Sequence, residues 1–165
     1  MIYLKNLKKN RVKNGSIEFS SNDFKFVLDK KGDPVNCYLK KPLETHSLIE
    51  ELMLLTNKTV AKDVGFSQKN AFVYRVHDLP DLEKVARLGV VAKSLGYSFV
   101  FEDPKKLSSS LNALLVESKE GEEKHMIEKL AVRSMSKAYY STKNIGHYGL
   151  SFKYYSHFTS PIRRY

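Results

Sequence analysis

Three observations predict an α+β fold, with an N-terminal strand cluster followed by several helices and short strands. Two alternating runs, FKFVLD (24–29) and VNCYLK (35–40), flank the turn-rich KKGDP (30–34). THSLIEELMLLTNKTVAKDV (45–64) repeats its apolar residues at helical spacing. The later helical stretches are separated by single short strands and do not form a regular βαβ series.

Taken in order, residues 2–13 predict a short basic helix ending at Gly15. SIEF (16–19) alternates like a strand, so the N-terminal cluster is a hairpin or a three-stranded meander. In 45–64 Leu48, Leu52, Leu55 and Thr59 share one stripe, with Ile49, Met53 and Val60 beside it. AFVYRV (71–76) predicts a short strand, and 77–97 a helix with Asp78 as its candidate cap. SFVFEDP (98–104) reads as extended, 107–118 and 122–140 as two further helices, and 144–158 as loop and strand. SPIRRY (160–165) opens a last helix, with Thr159 and Ser160 as candidate caps and Pro161 in the first turn. No internal repeat or low-complexity linker divides the chain, so residues 1–165 are expected to belong to one domain.

Charge is the informative part of the composition. Twenty-eight Lys and Arg against 18 Asp and Glu give a net charge of +10, which favours a polyanionic partner, nucleic acid foremost. No apolar run approaches a membrane span, and MIYLKNLKKNRVKNG has neither an apolar h-region nor a small-residue cleavage site, so no signal peptide is expected from it. The single cysteine, Cys37, excludes an internal disulfide and a multi-cysteine metal site, in agreement with a cytoplasmic protein.

SPIRRY carries the sharpest local chemistry. A helix N-terminus presents free backbone N–H groups, and Arg163 and Arg164 add guanidinium forks that match phosphate. On spacing alone, a surface turn with two solvated arginines is the stronger reading. In GHYGL (146–150), Gly146 and Gly149 permit close backbone approach or a special turn, and His147 reads as a structural, hydrogen-bonded histidine. His77, His125 and His157 read the same way. Glu50 and Glu51 point about 100° apart on a helix, so they do not form one acid/base pair; a solvated flank is the plainer reading and a ligand contact the alternative. Phe19 ends its run as a core residue or a base-stacking aromatic. No GxSxG, P-loop or HExxH is present, and the aspartates are scattered from Asp23 to Asp103.

Four segments in this order, LIEELMLLTNKTVA (48–61), YRVHDLPDLEKV (74–85), MSKAYYSTKNIGHYGLSF (135–152) and YSHFTSPIRRY (155–165), resemble the catalytic, RNB-type domain of the ribonuclease II / ribonuclease R family. The wording of GHYGL and YSHFTSPIRRY is most similar to bacterial ribonuclease R. The resemblance implies a processive 3′-to-5′ exoribonuclease that threads single-stranded RNA into a basic channel and releases nucleoside monophosphates. It implies that Arg163 is the catalytic arginine, contacting phosphate at the cleavage site, and that Arg164 is a second RNA-binding cation. Glu50 then corresponds to the first glutamate of an EE pair near bound RNA, and Phe19 to an aromatic that clamps the terminal bases.

The same resemblance implies Mg2+ as cofactor, held by an aspartate motif that precedes the region matched here, so no metal ligand is expected in this chain. The tyrosine partner of the clamp, the segment that normally follows SPIRRY, and the flanking cold-shock and S1 modules are likewise absent from the sequence. The expectation is a catalytic domain truncated at both ends, inactive alone, whose intact parent is monomeric, cytoplasmic and free of the membrane. The alternative is a stand-alone basic remnant that binds RNA without cutting it.

Overall fold

The computed structural model describes residues 2–19, 23–40, 43–68, 71–100 and 106–159. Helix α1 spans Ile2–Lys13 and carries Arg11 and Lys13 in its last turn, where cations meet the negative end of the helix dipole. Gly15, at φ 95°, ends it and lets the Ser16 N–H turn back to the Arg11 carbonyl at 3.1 Å. SIEF is not a strand. The Ile17 N–H goes to the Gly149 carbonyl (3.0 Å), and the Asn112 amide donates to the Ser16 carbonyl (2.9 Å), so a loop and a side chain replace a neighbouring strand.

Strands β1 (Asp23–Leu28) and β2 (Pro34–Lys40) therefore form a two-stranded antiparallel hairpin, pairing Phe24 with Leu39 and Phe26 with Cys37. Asp29 closes the turn by accepting from the Lys31 and Asp33 N–H groups at 2.7 and 2.9 Å. Every side chain from Phe24 to Leu39 is exposed.

The main core lies between α3 (Leu82–Ser94), α4 (Leu107–Glu117) and α5 (Lys124–Ser134). Val85, Leu88 and Ala92 of α3, Leu107, Leu111 and Leu114 of α4, and Ile127 and Ala131 of α5 recur at three- and four-residue steps and pack together, with Ile17 against them. The cap of α3 is Asp81, not Asp78. Asp78 accepts from the Leu79 N–H (2.7 Å), and Pro80 disfavours helical backbone at the residue before it. Asp81 follows the proline and takes the Glu83 and Lys84 N–H groups at 3.1 and 3.4 Å. Its bonds to Lys84 hold its carboxyl below the usual range. The Asp81 N–H also reaches the Ser134 carbonyl (2.9 Å), joining the start of α3 to the end of α5.

Helix α5 stops earlier than the sequence pattern suggests. Met135 is extended (ψ 143°), and Tyr139–Ser141 becomes β4, antiparallel to β3 (Tyr74–Val76), so two aromatic residues assigned to the helix stand in a ladder. Residues 144–158 hold one short 3₁₀ turn at Tyr148–Leu150 and no strand longer than a single bridge.

Helix α2 (Glu44–Val60) continues into a π-helical turn at Ala61–Ser67. Its buried residues are Glu51, Leu54 and Asn57, and Ala61 follows on the same side. Ile49, Leu52, Met53 and Leu55, from the apolar stripe and its border, are exposed. This reverses the expectation that Glu51 lies on a solvated flank. The physical reason is pairing: Glu51 and Asn57 on this face bond to Arg11 and Thr159.

Candidate nucleic-acid interface

The inner face of α2 is built from two polar anchors. Arg11 of α1 donates to Glu51 Oε1 from Nε at 3.2 Å and from Nη2 at 2.6 Å, and its Nη1 reaches Ser16 Oγ at 2.7 Å. Both charged side chains are almost fully buried, so each depends on the other for its solvation. Two turns along, the Asn57 Oδ1 accepts the Thr159 N–H (2.8 Å) and the Thr159 hydroxyl (3.0 Å). The helix thus holds α1 at one point and the segment after β4 at another.

Glu50 projects to the other side of this seam. A cleft of about 460 Å³ opens there, with Glu50, Asn57, Tyr155, His157 and Thr159 in its wall. The 100° step between adjacent helix positions therefore separates the pair as the sequence implies: Glu51 in a buried ion pair, Glu50 exposed at a cleft. Tyr155 is buried beneath this cleft. Burial pushes its phenol up; a hydrogen bond from Asn57 and the charge of Arg75 pull the other way.

Rings run back from the cleft in sequence. The Tyr140 hydroxyl lies 2.9 Å from His157 Nδ1, and the two rings sit 5.7 Å apart, edge to face. His157 meets Tyr155 at 5.7 Å, Tyr155 meets His147 at 5.2 Å, and His147 meets His77 at 4.9 Å. Arg75 covers the Tyr140 ring at 4.4 Å, and its backbone N–H donates to the Tyr155 carbonyl at 2.9 Å.

The histidines of this row are structural. His77 Nδ1 accepts the Gly149 N–H (3.0 Å), so its Nε2 carries the proton and donates to the Ser136 carbonyl (2.8 Å). A Cβ at Gly149 would fall 2.9 Å from His77 Nδ1, which is why glycine stands there; Gly146, at φ 83°, supplies the special turn. His147 accepts the Leu150 N–H at 3.3 Å. Burial, then the electrostatic influence of the adjacent His77 ring, lowers the His147 pKa to about 3, so the ring is neutral at pH 7. A second cleft, of about 850 Å³, lies over this GHYGL loop and includes His77, His147 and Tyr154 in its wall.

Of the residues singled out from the sequence, Glu50 lies at the smaller cleft. Phe19 is half-buried against the α3–α5 core and is not in the wall of that cleft. Arg163 and Arg164 lie outside the described residues, as does the SPIRRY helix. Sequence reasoning missed Arg11, Asn57, Arg75 and Tyr155. No local signal marks Asn57, which stands in the polar stretch TNKT (56–59) at the end of the helical run. Among the described residues no three His, Cys, Asp or Glu side chains come together as a metal site. The Mg2+ implied by the resemblance therefore does not fit the described residues, and no step through a metal follows from them.

Residues 3–165 match the RNB domain family model. Ribonuclease R of Aquifex aeolicus is 36% identical over 160 residues, a match covering 96% of this chain and 22% of that protein. Mycoplasma genitalium RNase R in complex with ribose-methylated single-stranded RNA superposes with a TM-score of 0.85 at 30% identity, covering 98% of this chain and 25% of the other. Yeast Ssd1, a pseudonuclease, superposes with a TM-score of 0.57 at 26% identity over 72% of this chain and 15% of its own. The chain thus spans between a fifth and a quarter of the length of the ribonuclease R relatives.

Proposed function

The chain belongs to the RNB domain family, and from that premise we propose that it serves as part of a 3′-to-5′ exoribonuclease acting on single-stranded RNA. In this reading Arg163 stabilises charge developing on the scissile phosphate, and Arg164 adds a second cation along the strand. Glu50 faces the bound RNA, and Phe19 supplies a stacking surface. Mg2+ enters only as an expectation of the family, with ligands from outside the described residues. A monomeric, cytoplasmic parent belongs to the same expectation.

One observation carries the reading. The cleft that exposes Glu50 also holds Thr159, fixed to Asn57 four residues before Arg163 in the sequence. Glu50 and Thr159, about a hundred residues apart in the sequence, line the same cleft, and this supports the reading.

The test is a chimera in which residues 1–165 replace the matching quarter of Aquifex aeolicus ribonuclease R. It should shorten 5′-labelled single-stranded RNA from the 3′ end, and Arg163→Ala should abolish shortening without lowering the melting temperature. A folded chimera that leaves RNA intact sinks the proposal.

A second reading, RNA binding without cleavage, draws on two observations: no metal-ligand cluster among the described residues, and likeness to a pseudonuclease. It expects affinity of the 165-residue chain for single-stranded RNA to fall steeply and log-linearly with salt. A flat salt response counts against it.

A further inference from the structure

Arg75 stands in the middle of β3, between Tyr74 and Val76, which enter the small core with Ala61. Neighbours in a strand alternate, so Arg75 lies on the other face. It is directly opposite Tyr140 in the β3–β4 ladder, and its guanidinium covers the Tyr140 ring at 4.4 Å. A cation–π pair accounts for a positive charge at this position but leaves a fork of five N–H donors to account for. Among the described residues no carboxylate forms an ion pair with it. Arg11 is the contrast, with its donors directed to Glu51 and Ser16.

Arg75 borders the Glu50 cleft. Its backbone N–H donates to the Tyr155 carbonyl at 2.9 Å, and the Tyr140 hydroxyl lies 2.9 Å from His157 Nδ1. Tyr155 and His157 both stand in the cleft wall. The charge of Arg75 pulls the Tyr155 phenol down and that of Glu50 pushes it up, so both charges act on one ring without pairing with each other. A guanidinium without an anion, in a chain of net charge +10, favours an anionic ligand. The fork matches two oxygens of a phosphate group. Repulsion from Glu50 disfavours a free phosphate dianion more than a phosphodiester, which carries a single charge.

We propose that Arg75 is an RNA-binding residue at the Glu50 cleft: its guanidinium, seated on the Tyr140 ring, takes one phosphodiester group of a single strand. The inference rests on the RNA-binding reading given above and adds a contact to it. Tyr140 is a positioning residue here, and its bond to His157 holds the ring in place.

The experiment measures anisotropy of fluorescein-labelled oligo(A) with the 165-residue chain over a range of salt concentrations. Arg75→Ala should weaken binding about tenfold at low salt, the scale of one charge-assisted contact. It should also lower the slope of log affinity against log salt by about 0.7, the share of one phosphate on a single strand. Arg75→Lys should keep the slope and lose affinity, because a point charge replaces the fork. Lys30→Ala, which removes an exposed cation from the hairpin turn, should leave affinity and slope near the parent's. Tyr140→Leu should weaken the parent about threefold and add nothing to Arg75→Ala.

The slope separates the contact from a structural role, since a merely loosened ladder would not change the number of counterions released. An Arg75→Ala chain with the parent's slope, or one matched by Lys30→Ala, overturns the inference and leaves RNA binding standing. Tyr140→Leu losses that multiply with those of Arg75→Ala overturn the seat on the ring. A parent chain with no affinity for the oligonucleotide overturns both the inference and the reading beneath it. Should Arg75→Ala fail to fold, Arg75→Met keeps a stem against the ring without the charge, and its slope decides.

Discussion

Helices α3–α5 and helix α2 obey the same periodicity and put it to opposite uses. In α3–α5 the apolar residues face inward: Leu88, Leu111 and Ile127 have essentially no exposed surface. In α2 the inward face carries Glu51 and Asn57 around one leucine, while Ile49 and Leu52 remain 56% and 45% exposed. The first region is held by non-directional packing, which tolerates many hydrophobic sequences. The second is held by directional bonds to residues far along the chain, and it positions particular atoms. Asn57 of this polar face also reaches the wall of the cleft that exposes Glu50.

The contrast can be broken most forcefully at the ion pair. Glu51→Ala leaves the Arg11 guanidinium buried without its anion and is expected to cost about 3–5 kcal/mol in urea unfolding. Replacing both partners together, Arg11→Met with Glu51→Leu, should return most of that loss, since the penalty lies in the orphaned charge. A Glu51→Ala chain as stable as the parent would mean the pair is not buried in solution.

Next comes packing. Leu111→Ala in the fully buried site should cost about 3 kcal/mol, read from the same unfolding curves. Leu52→Ala on the exposed side of α2 should stay within about 0.5 kcal/mol. Equal losses at the two leucines would erase the distinction between the regions.

Acid sensitivity sharpens it further. The His147 pKa is about 3 in the folded chain and about 6.5 when unfolded, so between those values the unfolded state binds the extra proton. This contribution to stability is fully present above pH 6.5 and is lost as pH falls toward 3. Its slope reaches about 1.4 kcal/mol per pH unit. Urea midpoints from pH 7.5 to 4 should show this fall, and His147→Asn should flatten it. A flat parent profile would place a charged imidazole in the folded state.

The smallest effect belongs to the cap. Asp81→Ala should lower the melting temperature slightly, whereas Asp78→Ala, at the residue the sequence favours, should do less at the helix start. Thermal melts of the two variants decide which aspartate starts α3.

How much of this was legible in the sequence follows from the range of the forces. Helices α1, α3 and α4 and the β1–β2 hairpin were readable because their determinants sit within one or two turns. The family resemblance was readable from four quoted segments. The inner face of α2 was not. Periodicity reports that a stripe exists, but which face is covered depends on Arg11, 40 residues away, and Thr159, 102 residues away. SIEF alternates like a strand yet meets a loop and Asn112, and no local pattern announces a missing neighbour. Asp78 and Asp81 are equivalent by composition; Pro80 between them selects the second. Tyr139 and Tyr140 looked helical until β3 offered a ladder.

His77 fastens four groups at once. Its backbone N–H and carbonyl bind Gly146 and Tyr148, and its ring bridges Ser136 and Gly149. The ring bonds close chain loops of 59 and 72 residues, whereas α4 and α5 of the main core are near neighbours in the chain. Loop closure costs entropy before any bond repays it, so this knot should tie after α3–α5 have condensed. On the way out the order reverses: the GHYGL seam should be the first buried part of the molecule to open, exchanging its amides while the helical core stays protected.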